Sequence, residues 1–513
     1  MNGRLTALDA SFLHLETPNA HMHVAWAALL SPHPTRSRPT VRSLRAAVSG
    51  RLALLPRFRQ RIATDPLGVA EPRWIDDLDF DIRRHVQRLG RADEVMTRAR
   101  FAELCDVVLS KPLKRNHPLW ELYLAPSLED GCLGLICKLH HAMVDGKSAV
   151  EVATLLFDVD ADTPPPAPVD WTPAPQPSST RLALEAVGER GAEQWRAARG
   201  LVRMAGSPIS SGNRISDTLR RTALAVGEDL LRPAPSSFLN TDIGPERTLQ
   251  RARLARTQVD RVRAHCGATI NDVCLTVVAG ALRELSLERS RPPAALKAMV
   301  PVSVREDDER ADLGNRITFA FIDLPVEVFS PLRRLEAVQR QTRSFKRSGR
   351  PAGTQALVNA IGVLPIAMRK RAAQVMASQR AYNLVVSNIP GPPCSVFMLG
   401  AKLDEAYPVV PLSEKHALSI GIFSYGAHLH FGIYADPTAL PDAPLLGNAI
   451  ASSFRALERT VTKGPVRGRP QSTLGAWPST SAKTSSRARS STARGTSRSS
   501  STSGPLGADP AGS

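Results

Sequence analysis

The chain has few cysteines, and they form no pattern. Six of them, at 105, 132, 137, 266, 274 and 394 in 513 residues, show no zinc-type spacing. The lack of a disulfide framework fits a reducing cytoplasm. Cys132 and Cys137 fall on one predicted strand and Cys274 on a predicted helix, as small apolar fillers. Long apolar runs are missing as well. None approaches the roughly 18–20 residues that span a bilayer. The first residues carry one early Arg and no sufficient apolar core, so no secretory signal is expected. Acid is in deficit, with 48 acidic against 66 basic side chains and a net charge of +18. No helix-turn-helix, zinc-finger or RNA-binding signature accompanies that charge, so nucleic acid is not the expected partner. Anionic lipid surfaces, or a coenzyme A moiety with its phosphates, suit it better.

What is present is enough for a packed core: 42% hydrophobic and 22% charged residues. The length favours two domains over one. The most informative stretch is Leu139-His140-His141-Ala142-Met143-Val144-Asp145-Gly146, which spells H-H-x-x-x-D-G. It follows Gly131 to His140, where Leu133, Leu135, Cys137 and Leu139 alternate with Gly134, Ile136, Lys138 and His140. Apolar residues on both faces predict a largely buried strand. On a strand His140 and His141 point in opposite directions, so one is expected to be catalytic and the other structural. Val150, Val152, Ala153, Leu156 and Phe157 then give roughly helical spacing. The expectation is strand, tight turn, helix, with the histidines at the mouth of the turn. A metal is a poorer reading, because His-x-x-x-Asp offers two ligands and no third is near.

Residues 1–160 form the first expected half. Residues 161–239 follow as a linker and helical crossover. Seven prolines between Ala161 and Ser179 predict an exposed, partly extended linker. Residues 181–232 are patchily amphipathic and suit a packed crossover better than an interfacial helix. The second half is expected over 240–463. It holds a helix from Ile270 to Leu285 with Asn271 and Asp272 in its first turn, where short polar side chains cap free N–H groups. Strands are expected at 298–304, 317–324, 384–387, 418–424 and 429–434, the last two joined as a hairpin at Tyr425-Gly426-Ala427. Residues 464–513 carry seven basic residues and one acid with hardly any large apolar ones. They are expected to be a disordered basic tail. The other residues keep a charge of +12.

Several blocks in order along the chain resemble the bacterial wax ester synthase/diacylglycerol acyltransferase family. They include the opening from Leu5 to Glu16 with Met22-His23-Val24, then Pro56 to Arg61 and Phe80-Asp81. Pro118-Leu119-Trp120-Glu121, Asn240 to Pro245, Thr269 to Val273, Val300 to Arg305, Leu313 to Asn315 and Val386 to Pro392 continue the series. One departure stands out. The family often has P-L-D-R where this chain has Pro112-Leu113-Lys114-Arg115. Lys114 is either a solvated loop residue or a change at the tunnel mouth.

The resemblance implies two chloramphenicol-acetyltransferase-like halves, each a mixed α/β sheet flanked by helices, with an acyl channel between them. It implies acyl transfer from fatty acyl-CoA, a co-substrate, with no bound cofactor or metal. His141 is the expected general base and His140 packs locally. Asp145 fixes the turn through a basic group, with Arg305 a candidate, and Gly146 lets the backbone approach closely. Asn271 and Asp272 are expected beside the acyl channel. Pro118, Leu119 and Trp120 are assigned to substrate binding, Trp120 fitting core and lining equally well. Ser387 and Asn388 are expected to shape a turn near the cleft. The acceptor is diacylglycerol or a long-chain alcohol, with diacylglycerol favoured. The protein would meet membrane or lipid droplets peripherally from the cytoplasm. The rival readings are a condensation-type acyltransferase with another acceptor and a non-catalytic lipid-surface protein that kept the fold.

Overall fold

The computed structural model describes residues 3–64, 70–143, 155–178, 232–303, 317–347 and 366–463, with scattered positions between 180 and 199. Two six-stranded sheets dominate it. In the first, strands at 397–398, 401–409, 23–31, 133–140, 120–125 and 86–88 follow one another, and in the second those at 248–255, 428–435, 418–425, 384–390, 296–303 and 317–324. Within the first, β1 (His23–Ser31) and β6 (Leu133–His140) pair antiparallel, with His23 opposite His140 and Ala25 opposite Lys138. All eight residues of β6 are buried, as its two-faced apolar pattern requires. Gly134 makes this possible on one side. A Cβ there would lie 2.5 Å from the Phe101 ring of helix α4 (Arg98–Leu109). On its other edge β6 pairs with β5 (Trp120–Ala125), and β5 runs parallel to β4 (Val86–Arg88).

The division at residue 240 is crossed by the chain. Strands β11 (Phe397–Met398) and β12 (Ala401–Val409) leave the second half and complete the first sheet, β12 pairing antiparallel with β1. The second sheet is mixed. Strands β13 (Leu418–Tyr425) and β14 (His428–Ala435) form the expected hairpin, with Gly426 at φ 55° in its turn. β10 (Leu384–Pro390) runs parallel to both β13 and β8 (Leu296–Ser303). The edges are β7 (Thr248–Ala255) and β9 (Ile317–Leu324).

Alternation gives the second sheet two different faces. Ile420, Ile422, Phe431 and Ile433 pack into one core with residues of helices α6 (Ile270–Glu288) and α9 (Leu445–Lys463). Between them in sequence, Gly421 and Gly432 sit opposite one another and meet β12. A Cβ on Gly432 would lie 1.9 Å from the Pro408 carbonyl oxygen, and one on Gly421 would lie 2.9 Å from its ring. Two bare glycines thus let one sheet's strand lie on the other sheet.

Polar groups seal the same seam. Asp106 on α4 accepts from Leu249 N at 2.8 Å and Thr248 Oγ1 at 2.9 Å. The Tyr434 hydroxyl donates to the Leu109 carbonyl at 3.3 Å. The proline-rich stretch is extended and mostly exposed, but it is strapped to the first half. Ala174 N donates to Asp76 at 2.9 Å, Arg61 donates to Gln176 at 3.0 Å, and the Arg59 guanidinium lies over Trp171.

Candidate active site

β6 ends at His140, and a short 3-10 turn, His141–Met143, follows. The change of backbone separates the two rings. His140 is 1% exposed and His141 is half-buried. The His141 N–H donates to the Met22 carbonyl at 2.8 Å, and Met22 holds φ at 47° to present it. Helix α1 (Ala7–Leu15) covers this turn. It is started by Thr6, whose hydroxyl accepts from Asp9 N. Phe12 of α1 stacks on the His141 ring, with centroids 3.7 Å apart and planes 13° from parallel. That contact fixes the ring plane. It also sets a π face against the imidazolium that forms whenever His141 takes a proton.

Burial pushes the His141 pKa down to about 4. Its own main-chain carbonyl opposes the shift. Among the described residues Nδ1 is buried without a hydrogen-bond partner. A proton on Nδ1 leaves the Nε2 lone pair as the basic site. At neutral pH the ring is uncharged, the state a general base requires.

His140 is locked by other groups. Its Nδ1 accepts from Ala142 N at 3.0 Å, so its proton sits on Nε2. Nε2 faces the Glu16 carboxylate at 3.8 Å, beyond hydrogen-bond reach. Glu16 is held by Arg115, whose Nε donates at 2.6 Å, and Arg115 also donates to the Leu13 carbonyl at 3.0 Å. Burial pushes the Glu16 carboxyl up against the pull of Arg115, and burial takes His140 down to about 3. His140 is therefore a neutral bracket for the turn. Beneath it, Lys138 is 1% exposed and reaches Glu121 at 2.8 Å and the carbonyls of Val108 and Lys111 at 3.1 Å. His23 bonds the Leu109 carbonyl at 3.0 Å. Lys138 and His23 together satisfy the carbonyl end of α4.

The remaining sequence-assigned residues scatter. Leu119 is 0% and Trp120 1% exposed, and both pack in the core. Trp120 donates to the Phe58 carbonyl at 2.8 Å and stacks on His85, so it is core and not lining. Pro118 is buried beside them. The block serves the site through its backbone, since the Leu119 carbonyl accepts from His140 N at 2.9 Å. Asp272 caps α6: one carboxylate oxygen accepts from Thr269 N at 2.9 Å and the other from Thr342 at 2.7 Å. Each carboxylate oxygen thus accepts one bond within the protein. Asn271 is half-buried in the same first turn. Ser387 and Asn388 lie in β10, a strand and not the expected turn, because β10 pairs with β13 as far as Pro390. Among the described residues, Asn388 Oδ1 is buried without a partner. Asp145, Gly146 and Arg305 lie outside the described residues. So does most of the helix expected after the motif.

Sequence reasoning missed Phe12, Glu16 and Arg115 as members of the site. The signal for the first two was available: four residues apart at the end of a helix, they share the side facing the histidine turn. Burial raises the thiol pKa of Cys105 and Cys274 to about 12, and that of Cys137 as well, which leaves these cysteines poor nucleophiles.

Residues 5–274 match the wax ester synthase/diacylglycerol acyltransferase catalytic domain, and residues 313–458 match the C-terminal domain of the same family. The chain belongs to that family. A Mycobacterium tuberculosis protein named as a diacylglycerol O-acyltransferase is 30% identical over 460 residues, 86% of this chain and 87% of its own length. A second from the same species is 29% identical over 88% of this chain and 95% of its own. Among solved structures, the wax ester synthase/diacylglycerol acyltransferase of Marinobacter aquaeolei VT8 superposes with a TM-score of 0.65 at 22% identity, over 90% of this chain and 99% of the other. The starter condensation domain of rhizomide synthetase, solved with C8-CoA and Leu-SNAC, follows at 0.53 and 13%, over 90% and 95%. The mixed α/β fold with two acyltransferase halves is thus shared. So is the broad activity: this is an acyltransferase.

Proposed function

We propose that the chain moves a fatty acyl group from acyl-CoA to the free hydroxyl of diacylglycerol, giving triacylglycerol, with His141 as general base. The observation that carries this is the ring of His141, uncharged at neutral pH and clamped by Phe12. Nε2 takes the hydroxyl proton as the acceptor oxygen attacks the thioester carbon. The tetrahedral adduct collapses, the C–S bond breaks, and the proton on Nε2 passes to the departing sulfur. Ester and free CoA result, and no acyl-enzyme forms. Asp145 holds the turn through a basic group, Arg305 being the candidate, and Gly146 gives it room. Asn271 and Asn388 would serve the acyl side, Asn388 with an oxygen left without a partner among the described residues.

Acyl-CoA as donor is supported by the C8-CoA complex of the condensation-domain neighbour. Diacylglycerol as acceptor is supported by the names of the mycobacterial relatives. The Marinobacter relative's name supports a long-chain alcohol as second acceptor, giving wax ester. The protein would collect either acceptor from a membrane or droplet surface. Among the described residues no single helix is long and apolar enough to cross a membrane. The test is labelled palmitoyl-CoA offered with dioleoylglycerol or hexadecanol, for the parent and His141→Ala. Labelled triacylglycerol from the parent and none from the variant is expected. Ester formation that survives the substitution would remove His141 from the chemistry.

A further inference from the structure

The helix-covered face of the second sheet carries a groove of about 590 Å³ between α6, α9 and α7 (Pro331–Arg347). The active-site half joins the second sheet on its opposite, glycine face. At the base of the groove lie Arg334 and Ser453, each 4% exposed. Among the described residues Arg334 Nε and Ser453 Oγ are buried without hydrogen-bond partners. Gly280 makes room for them, since a Cβ there would lie 2.0 Å from Ser453 Oγ and 2.7 Å from Arg334 Nη1. Unpaired buried polar atoms are costly, and two together at the floor of a groove mark a place for a polar group from outside.

The rim differs from the base. Phe329 is 82% and Leu287 53% exposed. Arg283 lies over the Phe329 ring at 5.5 Å, and exposed Arg459 stands on α9. Arg334 holds the loop that presents Phe329, donating to the Val328 carbonyl at 2.8 Å. The one acid in the groove, Glu284, accepts from Ser452 at 3.1 Å, and burial pushes its carboxyl up. Three arginines and one carboxyl thus line the groove, with Glu327 also near Arg334 and Glu288 near Glu284, and two large apolar side chains stand clear of the surface above them. Guanidinium groups suit phosphate oxygens, and projecting apolar side chains suit an acyl layer.

We propose that this groove seats the protein on an anionic phospholipid surface. One lipid phosphate enters against Arg334 and Ser453, Arg283 and Arg459 flank it, and Phe329 and Leu287 enter the acyl layer. The test is sedimentation of the full chain with phosphatidylcholine vesicles, with and without phosphatidylglycerol. The variants are Arg459→Glu and Phe329→Ser, both at exposed positions. Arg42→Glu, on the exposed side of the helix at Val41–Arg51, is the control. Partition onto phosphatidylglycerol vesicles is expected to fall about tenfold or more for Arg459→Glu. It is expected to fall roughly tenfold for Phe329→Ser and to change little for Arg42→Glu. Equal losses in the two arginine variants would mean diffuse charge alone and would overturn the site, as would undiminished binding by Phe329→Ser. Inorganic phosphate added without lipid should leave the melting temperature unchanged. A rise in the parent that persists in Phe329→Ser would point to a free phosphate and sink the lipid assignment. Sedimentation needs no turnover, so its outcome is independent of the acceptor and of His141.

Discussion

The two central strand pairs, β1–β6 and β13–β14, are both antiparallel and both buried, yet they are held by different means. β6 carries Lys138 and His140 into the interior, each tied to a partner on another element. β13 and β14 carry Gly421 and Gly432, and what meets them is Pro408 of β12, its ring at the first and its carbonyl at the second. The first sheet places chemistry with hydrogen bonds and charge. The second places surfaces by shape. A base that must keep one tautomer and one plane needs the first kind of support, whereas a wall against which another sheet rests needs only the second.

The sharpest break in that comparison is at the base itself. His141→Ala should lower kcat about 10³-fold, the scale of a lost general base. KM for acyl-CoA should stay near the parent value, while the melting temperature should fall modestly with loss of the Phe12 stack. A kcat within tenfold of the parent would shift the chemistry to another group. Next comes the support beneath it. Lys138→Met removes a buried cation and strands Glu121 and two helix-end carbonyls, so a loss of about 3–5 kcal/mol in a urea titration is expected. Little change would mean that water or Tyr123, which already donates to Glu121 at 3.0 Å, takes over.

The matching change in the second sheet is Gly432→Ala. Its Cβ meets a backbone oxygen that cannot rotate away, so a loss of about 1–3 kcal/mol is expected from overpacking. Salt should leave this loss unaltered. A neutral result would show that the sheets slide apart freely, and the shape half of the comparison would fall.

How far the sequence carried this contrast depended on distance along the chain. The burial of β6, the hairpin at Gly426 and the capping by Asp272 are written in neighbouring residues, and all three appear where periodicity and turn chemistry put them. The place of β12 is not local. Its partner β1 lies hundreds of residues earlier, and nothing in residues 401–409 names it. The Glu16–Arg115 pair spans 99 residues. Trp120 was ambiguous because an aromatic beside a catalytic strand fits core and lining alike, and the Phe58 carbonyl that decides it is 62 positions away. The H-H-x-x-x-D-G motif located the histidines. It could not show that His140 is fixed by the N–H of Ala142, because that bond depends on the strand ending there.

A milder test uses pH. His140 and His141 stay uncharged when folded, near 3 and 4, while an unfolded chain titrates near 6.5. Below pH 6.5 the unfolded state binds protons that the folded state refuses. Stability should therefore be full above that value and decline as the solution is acidified toward pH 4. Activity should respond less, with kcat/KM nearly flat from pH 8 to 6 and its acid limb near 4. A limb near 6.5 would mean that His141 is far better solvated during catalysis than its burial indicates.

The smallest effect is expected where the chain departs from its family. Lys114 is exposed, while its neighbour Arg115 makes the ion pair with Glu16 that backs His140. Restoring the common acid as Lys114→Asp changes a solvated charge and leaves that pair intact. Surface charges of this kind are worth at most about 1 kcal/mol. Initial rates with palmitoyl-CoA and dioleoylglycerol should then match the parent within about twofold. Arg115→Lys supplies the contrast, because an ammonium cannot hold Glu16 and the Leu13 carbonyl in one rigid fork. If Lys114→Asp changed the rate as much as Arg115→Lys did, position 114 would belong to the tunnel mouth. The support of the histidine turn would then reach past Arg115 to the surface.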